Sequence, residues 1–461
     1  MSPLWTAEEA LRATGGSGPG GWSAARVVID TRGLEPGDLF VALIGEHRDG
    51  HAFLDDAARR GAAAALVHAE TVAPGLPLLR VADTQRGLEA LGRAARARAK
   101  ALFVAITGSV GKTGSKEAIA RMLEAFGATV ASAKSHNNHW GVPLTLANVP
   151  HEARFAVIEI GMNHAGEIAA LVPQVRPHVA LITKIAPAHL GNLGSLEAIA
   201  RAKAEIFTGL EPDGTAVLNA DDRWFDLLAA LAREAGAARI VSFGASARAD
   251  VRLLDAQAGE AGSDVLVDGL GTELRYRLPM PGRHLVENSL GWIAVVAALG
   301  LDPGPATARL ATLEPLAGRG RRRRATLASG TVELIDDGYN ANPASVRAAL
   351  DVLALRDGRR IAVLGDMLEL GPDGPDLHRD LAGPVQAAGV DLVFACGPLM
   401  RHLLDALPER LVGGWAPSAA ALVPMLQAAL RDGDVVLVKG SLGSRMADVT
   451  EALCADSVAG E

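Results

Sequence analysis

The sequence predicts an α/β fold in three domains: a small α/β N-terminal domain, a central parallel-sheet domain with a phosphate loop, and a C-terminal Rossmann-like doubly wound domain. Three observations carry this. An apolar run, Ala101 to Ile106, leads through Thr107-Gly108-Ser109-Val110-Gly111-Lys112-Thr113 into a stretch with helical periodicity. Beyond that loop, apolar runs alternate with helical patterns through two long stretches, as in parallel sheets covered by helices. The chain has 461 residues, a length that suits about three domains of ordinary size.

Residues 1–84 form the first unit. Apolar runs at Arg26 to Ile29, Asp38 to Leu43 and Ala62 to Val67 flank a helical patch, Phe53 to Arg60. Asp30-Thr31-Arg32 and Asp49-Gly50-His51 stand where strands should end. They read equally as turn residues or as polar tips gathered on one ligand-binding edge. Gln85 to Lys100, rich in alanine and arginine, reads as a connecting helix.

The central domain, 85–315, opens on the glycine loop. Ile119, Met122, Leu123 and Phe126 fall at i, i+3, i+4 and i+7, so the order is strand, loop, helix. Glycines there let backbone N–H groups approach a polyphosphate, and the helix N-terminus favours negative charge. Lys112 can reach the outer phosphates and Thr113 can ligate Mg²⁺, which makes this a candidate ATP site. The long form of the motif would have glycine where Ile106 stands. Apolar strands follow at Phe155 to Glu159, Val179 to Ile182 and Thr215 to Leu218. In a parallel sheet, binding residues gather at the carboxyl ends of strands. Glu159, Asn163, His164, His189 and Asn219 to Asp222 stand at such ends. From 250 to 278 the period becomes two, which predicts an antiparallel insertion, and the helix after Arg283-His284 carries Asn288 inward.

The third domain, 316–461, has four more apolar strands interleaved with helices: Val332 to Ile335, Ile361 to Leu364, Asp391 to Phe394 and Asp434 to Val438. A basic run, Arg319-Gly320-Arg321-Arg322-Arg323-Arg324, lies at the junction. Arg321 to Arg324 read as a solvated linker, and Arg319, after Gly318, as a residue able to swing onto a phosphate. A nucleic-acid clamp would need aromatic neighbours, and aromatics make up 4% of the chain. Net charge is -8, which gives no basic field for nucleic acid or an anionic membrane. No run approaches a membrane span, and Met1 to Gly15 lacks a basic-then-apolar leader. Cys396 and Cys454, far apart in sequence, read as free thiols. A cytoplasmic enzyme, monomeric and without membrane insertion, is expected.

Several tracts in this order resemble the Mur ligase family. They are Ile106 to Thr113, Asn137-Asn138 followed by Gly141 to Leu146, Glu159 to His164, Ala188-His189-Leu190, Ala200 to Lys203, Gly282-Arg283-His284, Asp336 to Pro343 and Leu364 to Met367. The resemblance covers essentially the whole chain. Asp337 to Pro343 and Gly161 to His164 favour the member that joins D-Ala-D-Ala to UDP-MurNAc-tripeptide. The resemblance implies an ATP-dependent amide ligation through an acyl phosphate, with two Mg²⁺ ions. It further implies that Gly108, Ser109, Gly111, Lys112, Thr113, Asn288, Arg319, Asp337 and Asn340 hold the nucleotide. Thr113, Glu159, His189 and a carbamylated Lys203 would serve the metals, with Lys112, His189, Lys203 and Arg319 as the catalytic set. Asp30, Thr31, Arg32 and His51 would meet the uridine diphosphate, and Asn137, Asn138, Asn163 and His164 the remaining substrate. The sequence departs from the family pattern at Thr31, in the tract Ser135 to Trp140, at Lys184 where asparagine is frequent, and at Gly191 where an acidic residue is common. Other readings stay open: the tripeptide-forming sibling, a folylpolyglutamate synthase-like ligase, which lacks the front domain, and a P-loop regulatory ATPase.

Overall fold

A computed structural model of the chain describes residues 3–73, 75–133, 136–327 and 329–455, so Ser135 lies outside the described residues. The first sheet has four parallel strands in the order Val27–Val28, Leu39–Val41, Ala64–His68 and Leu78–Val81. Period-two alternation sends Leu39 and Val41 to one face and Phe40 to the other. Phe40 packs with Leu54 and Ala57 of the helix Leu54–Arg59. Leu39 and Val41 pack with Leu88, Leu91 and Ala95 of the helix Thr84–Arg98, and with Leu144 and Ala147 of the helix Gly141–Ala147. Helix Thr84–Arg98 is therefore shared: it closes the first sheet and abuts the next domain.

The central sheet has nine strands, in the order Thr272–Leu278, Gly262–Gly269, Val251–Gly259, Arg239–Gly244, Thr215–Asn219, Val179–Ile182, Leu102–Thr107, Phe155–Glu159 and Thr129–Ala131. The last six run parallel, and the first three turn back as two antiparallel hairpins, the insertion expected near 250–278. Leu102–Thr107 lies between strands that come later in the chain on both sides. This is the point where an open parallel sheet leaves a crevice at its carboxyl edge. Alternate residues of that strand enter separate cores, Phe103 and Ala105 on one face and Val104 and Ile106 on the other.

The third sheet runs Arg321–Leu327, Gly330–Asp337, Val435–Lys439, Arg360–Gly365, Leu392–Cys396 and Val412–Ala416, parallel except for the first strand. Here the expectation of a linker at Arg321 to Arg324 is corrected. These residues form an edge strand antiparallel to Gly330–Asp337, with Ala325 buried and Arg321, Arg322 and Arg324 exposed. Basic side chains on a sheet edge deter pairing with other chains, so a charge run and a strand coincide.

Contacts at two places, among others in the described residues, join the central and third domains away from the covalent junction. Glu260, at the tip of the hairpin Val251–Gly269, pairs with the buried Arg356, which also binds Glu333 at 2.6 Å. Across the cleft, Gly191 donates its N–H to the Glu369 carbonyl at 3.0 Å.

Candidate active site

The glycine loop owes its shape to two positive-φ glycines. At Gly108, φ +150°, a Cβ would fall 1.9 Å from Thr183 Oγ1, and at Gly111, φ +82°, 2.9 Å from Asn288 Nδ2. Both neighbours pack where a side chain would have to go, so glycine is required for close approach as well as for dihedral freedom. The adjacent strand end fastens the loop: Thr183 Oγ1 donates to the Val110 carbonyl at 2.6 Å, and Ser109 N to the Lys184 carbonyl at 2.8 Å. Gly111 then caps the helix Lys112–Leu123, whose free N–H groups face the crevice.

Lys112 folds back so that its ammonium donates to the Gly108 carbonyl at 2.7 Å. Burial lowers its pKa, Glu159 opposes that shift and the nearby Arg319 reinforces it. Glu159, 1% exposed, ends its strand with Oε1 accepting from Asn137 Nδ2 at 2.8 Å. Its Oε2 is buried without a hydrogen-bond partner. A buried carboxylate oxygen with no donor is costly unless something positive meets it. Together with the Thr113 hydroxyl it offers hard oxygen ligands suited to Mg²⁺, which usually takes one or two protein ligands and completes its shell with phosphate and water. Among the described residues no group of three or more His, Cys, Asp or Glu is placed to hold a metal ion by itself.

These groups line a cavity of about 850 Å³ between the central and third domains. Ser109, Gly111, Lys112, Thr113, Asn137, Glu159, Asn163, His189 and Asn288 reach it from one side, and Arg319, Asp337 and Asn340 from the other. The Arg319 guanidinium stacks 4.3 Å from the Tyr339 ring centre. That cation–π contact holds it over the cleft.

His189 takes the left-handed conformation, φ +58°, and its Nδ1 lies 2.6 Å from Glu369 Oε2, in an approach not aligned as a hydrogen bond. Burial lowers its pKa, Lys112 and Lys203 push the same way and Glu369 opposes them. The neutral imidazole this favours is the metal-binding form. Lys203, in the last turn of the helix Leu196–Ala204, is 1% exposed, does not line the cavity, and is near enough to Lys112 and His189 to act on their charges. Burial, then the charge of Lys112, push its pKa well down.

Other expected residues have structural employment. Asn138 Oδ1 accepts from Trp140 N and Gly141 N, fastening the start of the helix Gly141–Ala147. His164 pairs with Glu167 at 3.0 Å on the surface. In the first domain Arg32 clasps Asp30, with the shortest contact 2.5 Å, and the Thr31 hydroxyl bonds Asp56. His51 Nδ1 lies 2.6 Å from Asp49 Oδ1, while its Nε2 accepts from His68 N at 3.0 Å. None of these lines the cavity. Sequence reasoning passed over Lys439, Ser441, Tyr339 and Glu369, which do. Lys439-Gly440-Ser441 directly follows an apolar strand, the same signal that singled out Glu159.

A phosphate loop, an unsatisfied carboxylate and cationic groups on a facing domain define a nucleotide-dependent enzyme whose site is shared between two domains. Residues 24–99 match the model of the Mur ligase family catalytic domain, 106–296 the Mur ligase middle domain, and 320–442 the Mur ligase glutamate ligase domain. The chain belongs to the Mur ligase family. It is 37% identical to the UDP-N-acetylmuramoyl-tripeptide–D-alanyl-D-alanine ligase of Escherichia coli (strain K12), over 93% of each chain. With the ligase of that name from Bacillus subtilis (strain 168) it shares 31% identity over 93% of this chain and 92% of the other. A crystal structure of MurF from Acinetobacter baumannii superposes with a TM-score of 0.85 at 30% identity, covering 98% of this chain and 99% of that one. MurF from Thermotoga maritima in complex with ADP gives 0.77 at 26% identity, covering 95% and 98%.

Proposed function

We propose that this chain is the ATP-dependent ligase that joins D-alanyl-D-alanine to UDP-N-acetylmuramoyl-tripeptide in peptidoglycan precursor synthesis. The observation that carries the reading is the single cavity lined by Lys112, Glu159 and Asn288 from one domain and by Arg319, Asp337 and Asn340 from another. Full-length likeness to enzymes of that name supports the choice of substrates.

A carboxylate is a poor acylating group, so it must first gain a leaving group. The terminal carboxylate of the tripeptide attacks the γ-phosphorus of ATP, giving an acyl phosphate and ADP. The amine of D-Ala-D-Ala then attacks the acyl carbon, loses its proton, and phosphate departs. Phosphoryl transfer of this kind depends on positioning and on positive charge around the moving group. Lys112 and the loop N–H groups supply that charge from one side and Arg319 from the other, while Asn288, Asp337 and Asn340 hold the nucleoside.

Mg²⁺ would be held by Thr113 and Glu159, where, when bound, it neutralises phosphate charge. We assign His189 and a carbamylated Lys203 to a second Mg²⁺. Burial favours the uncharged amine of Lys203. That amine adds CO2 and releases one proton, becoming an anionic carbamate with oxygen ligands. The first domain would bind the UDP-sugar through Asp30, Thr31, Arg32 and His51, with Asn137, Asn138, Asn163 and His164 toward the peptide. Both halves of the ATP cleft come from one chain, which favours a monomer. No helix among the described residues is long and apolar enough to cross a membrane, which accords with soluble substrates met in the cytoplasm.

The test is phosphate release with UDP-MurNAc-tripeptide and D-Ala-D-Ala supplied separately and together. Release that requires both is expected. Release with neither would point instead to a regulatory ATPase.

A further inference from the structure

The carboxyl ends of two neighbouring parallel strands, Gly330–Asp337 and Val435–Lys439, finish in register, with Asp337 opposite Lys439. Lys439 is 2% exposed, yet its ammonium sits at the wall of the nucleotide cavity. It donates to Asp337 Oδ2 at 2.6 Å and to the Asn340 carbonyl at 3.0 Å. One side chain therefore spans both ends of the turn that carries the two nucleotide residues of this domain.

Two residues on, Ser441 does the same for a different pair. Its hydroxyl donates to the Ala341 carbonyl at 3.3 Å and accepts from Leu368 N at 2.9 Å. The Leu368 loop continues into Glu369, which meets His189 and Gly191 across the cleft. Between Lys439 and Ser441 stands Gly440, where a Cβ would fall 2.5 Å from Met446 Cγ. Only glycine lets the chain lie so close to Met446 while its neighbours diverge to the two sides.

We infer that Lys439 and Ser441 are positioning residues: Lys439 fixes Asp337 and Asn340 for the nucleotide, and Ser441 ties that turn to the Leu368–Glu369 loop facing the other domain. Neither is assigned a contact with the reacting atoms. A buried ammonium persists only with a close counter-charge and further hydrogen bonds, and here the partly exposed Asp337 carboxylate supplies the charge and the nucleotide turn itself the bonds. The inference rests on the reading of this cavity as the ATP site.

The experiment measures binding of a non-hydrolysable ATP analogue by calorimetry, with steady-state KM values for the three substrates, on full-length protein. Lys439→Met should weaken analogue binding and raise KM for ATP at least tenfold, with the KM values for both peptide substrates within about twofold of wild type. Asp337→Asn should weaken the analogue comparably, and the double variant no more than the worse single. Lys439→Gln, which keeps a donor without the charge, should fall between wild type and Lys439→Met, and it serves if the latter does not fold. Ser441→Ala should leave analogue affinity within about twofold and lower kcat at least fivefold, with Ser441→Thr restoring most of it. Wild-type affinity in both Lys439 variants beside a weakened Asp337→Asn would overturn the positioning role. So would additive losses, or equal losses for all three substrates. If the wild-type protein binds no analogue, the nucleotide reading itself has failed, a result distinct from the others.

Discussion

Gly191 and Gly371 lie backbone against backbone across the two domains. A Cβ on Gly191 would come 2.9 Å from Gly371 N, and one on Gly371 would come 2.7 Å from Gly191 Cα. In this chain the missing side chain at Gly191 is what lets the Glu369–Gly371 loop close on it.

Gly191→Asp should therefore hold the cleft ajar. The expected result is a larger radius of gyration by small-angle scattering with ATP analogue and substrate present, and a KM for ATP raised about tenfold, since the complete site needs both domains. Superimposable scattering curves for variant and wild type would contradict the closure role.

Lys112→Ala should remove transition-state charge stabilisation and little else. A loss of roughly a hundredfold or more in kcat, about 3 kcal/mol, is expected. The side chain is only partly buried and bonds a carbonyl of its own loop, so the melting temperature should stay within a few degrees. Early melting would show that the lysine has a folding role as well.

Lys203→Ala should lose activity by two or more powers of ten and regain part of it when a short carboxylic acid is added to fill the space. Carbon-13 NMR of wild-type protein in labelled bicarbonate should show a carbamate resonance that is missing from the variant. Full activity of Lys203→Ala without added acid would exclude the carbamate.

Arg356→Met should destabilise the protein by roughly 1–2 kcal/mol, because it removes the buried guanidinium shared by Glu333 and Glu260, while Arg322 remains beside both. Denaturant unfolding measures that loss. Limited proteolysis should show earlier cutting near the junction of the central and third domains.

Cys396, 2% exposed, has its thiol pKa pushed up to about 11 by burial, with Asp366 adding to the shift. The folded state thus holds this proton more tightly than the unfolded chain. The resulting stability is fully present below pH 9, the ordinary value, and is lost as pH rises through 11. Between pH 8 and 11 the wild-type protein should lose roughly 2 kcal/mol more than Cys396→Ala, read from urea midpoints. Cys454, less buried, should react first with thiol reagents.

The phosphate loop was legible because its chemistry is local: two glycines, a lysine and a threonine between a strand and a helix. Glu159 was legible as the polar end of an apolar strand, and His189 as a polar residue in the segment that follows another, where it precedes the helix Leu190–Leu193. For Asn138 residue type alone is ambiguous, because a helix cap and a substrate contact use the same side chain, and only the path of the next turn shows the cap. Arg321 to Arg324 misled because strand formation there depends on a partner, Gly330–Asp337, that comes later in the chain. Lys439 was missed for a related reason. Its importance lies in what it spans, and Asp337 is 102 residues away in sequence.

The hairpin Val251–Gly269 reaches Arg356 at its tip, and the strand after it, Thr272–Leu278, runs within five residues into the helix Arg283–Ala298 that bears Asn288. In mechanical terms this ribbon is a stay, footed on the nucleotide pocket and tied at its far end to the third domain. A load on that domain is returned through the hairpin to the same helix that packs Asn288 against Gly111. On the nucleoside role proposed for Asn288, its grip and the angle of the third domain should vary together.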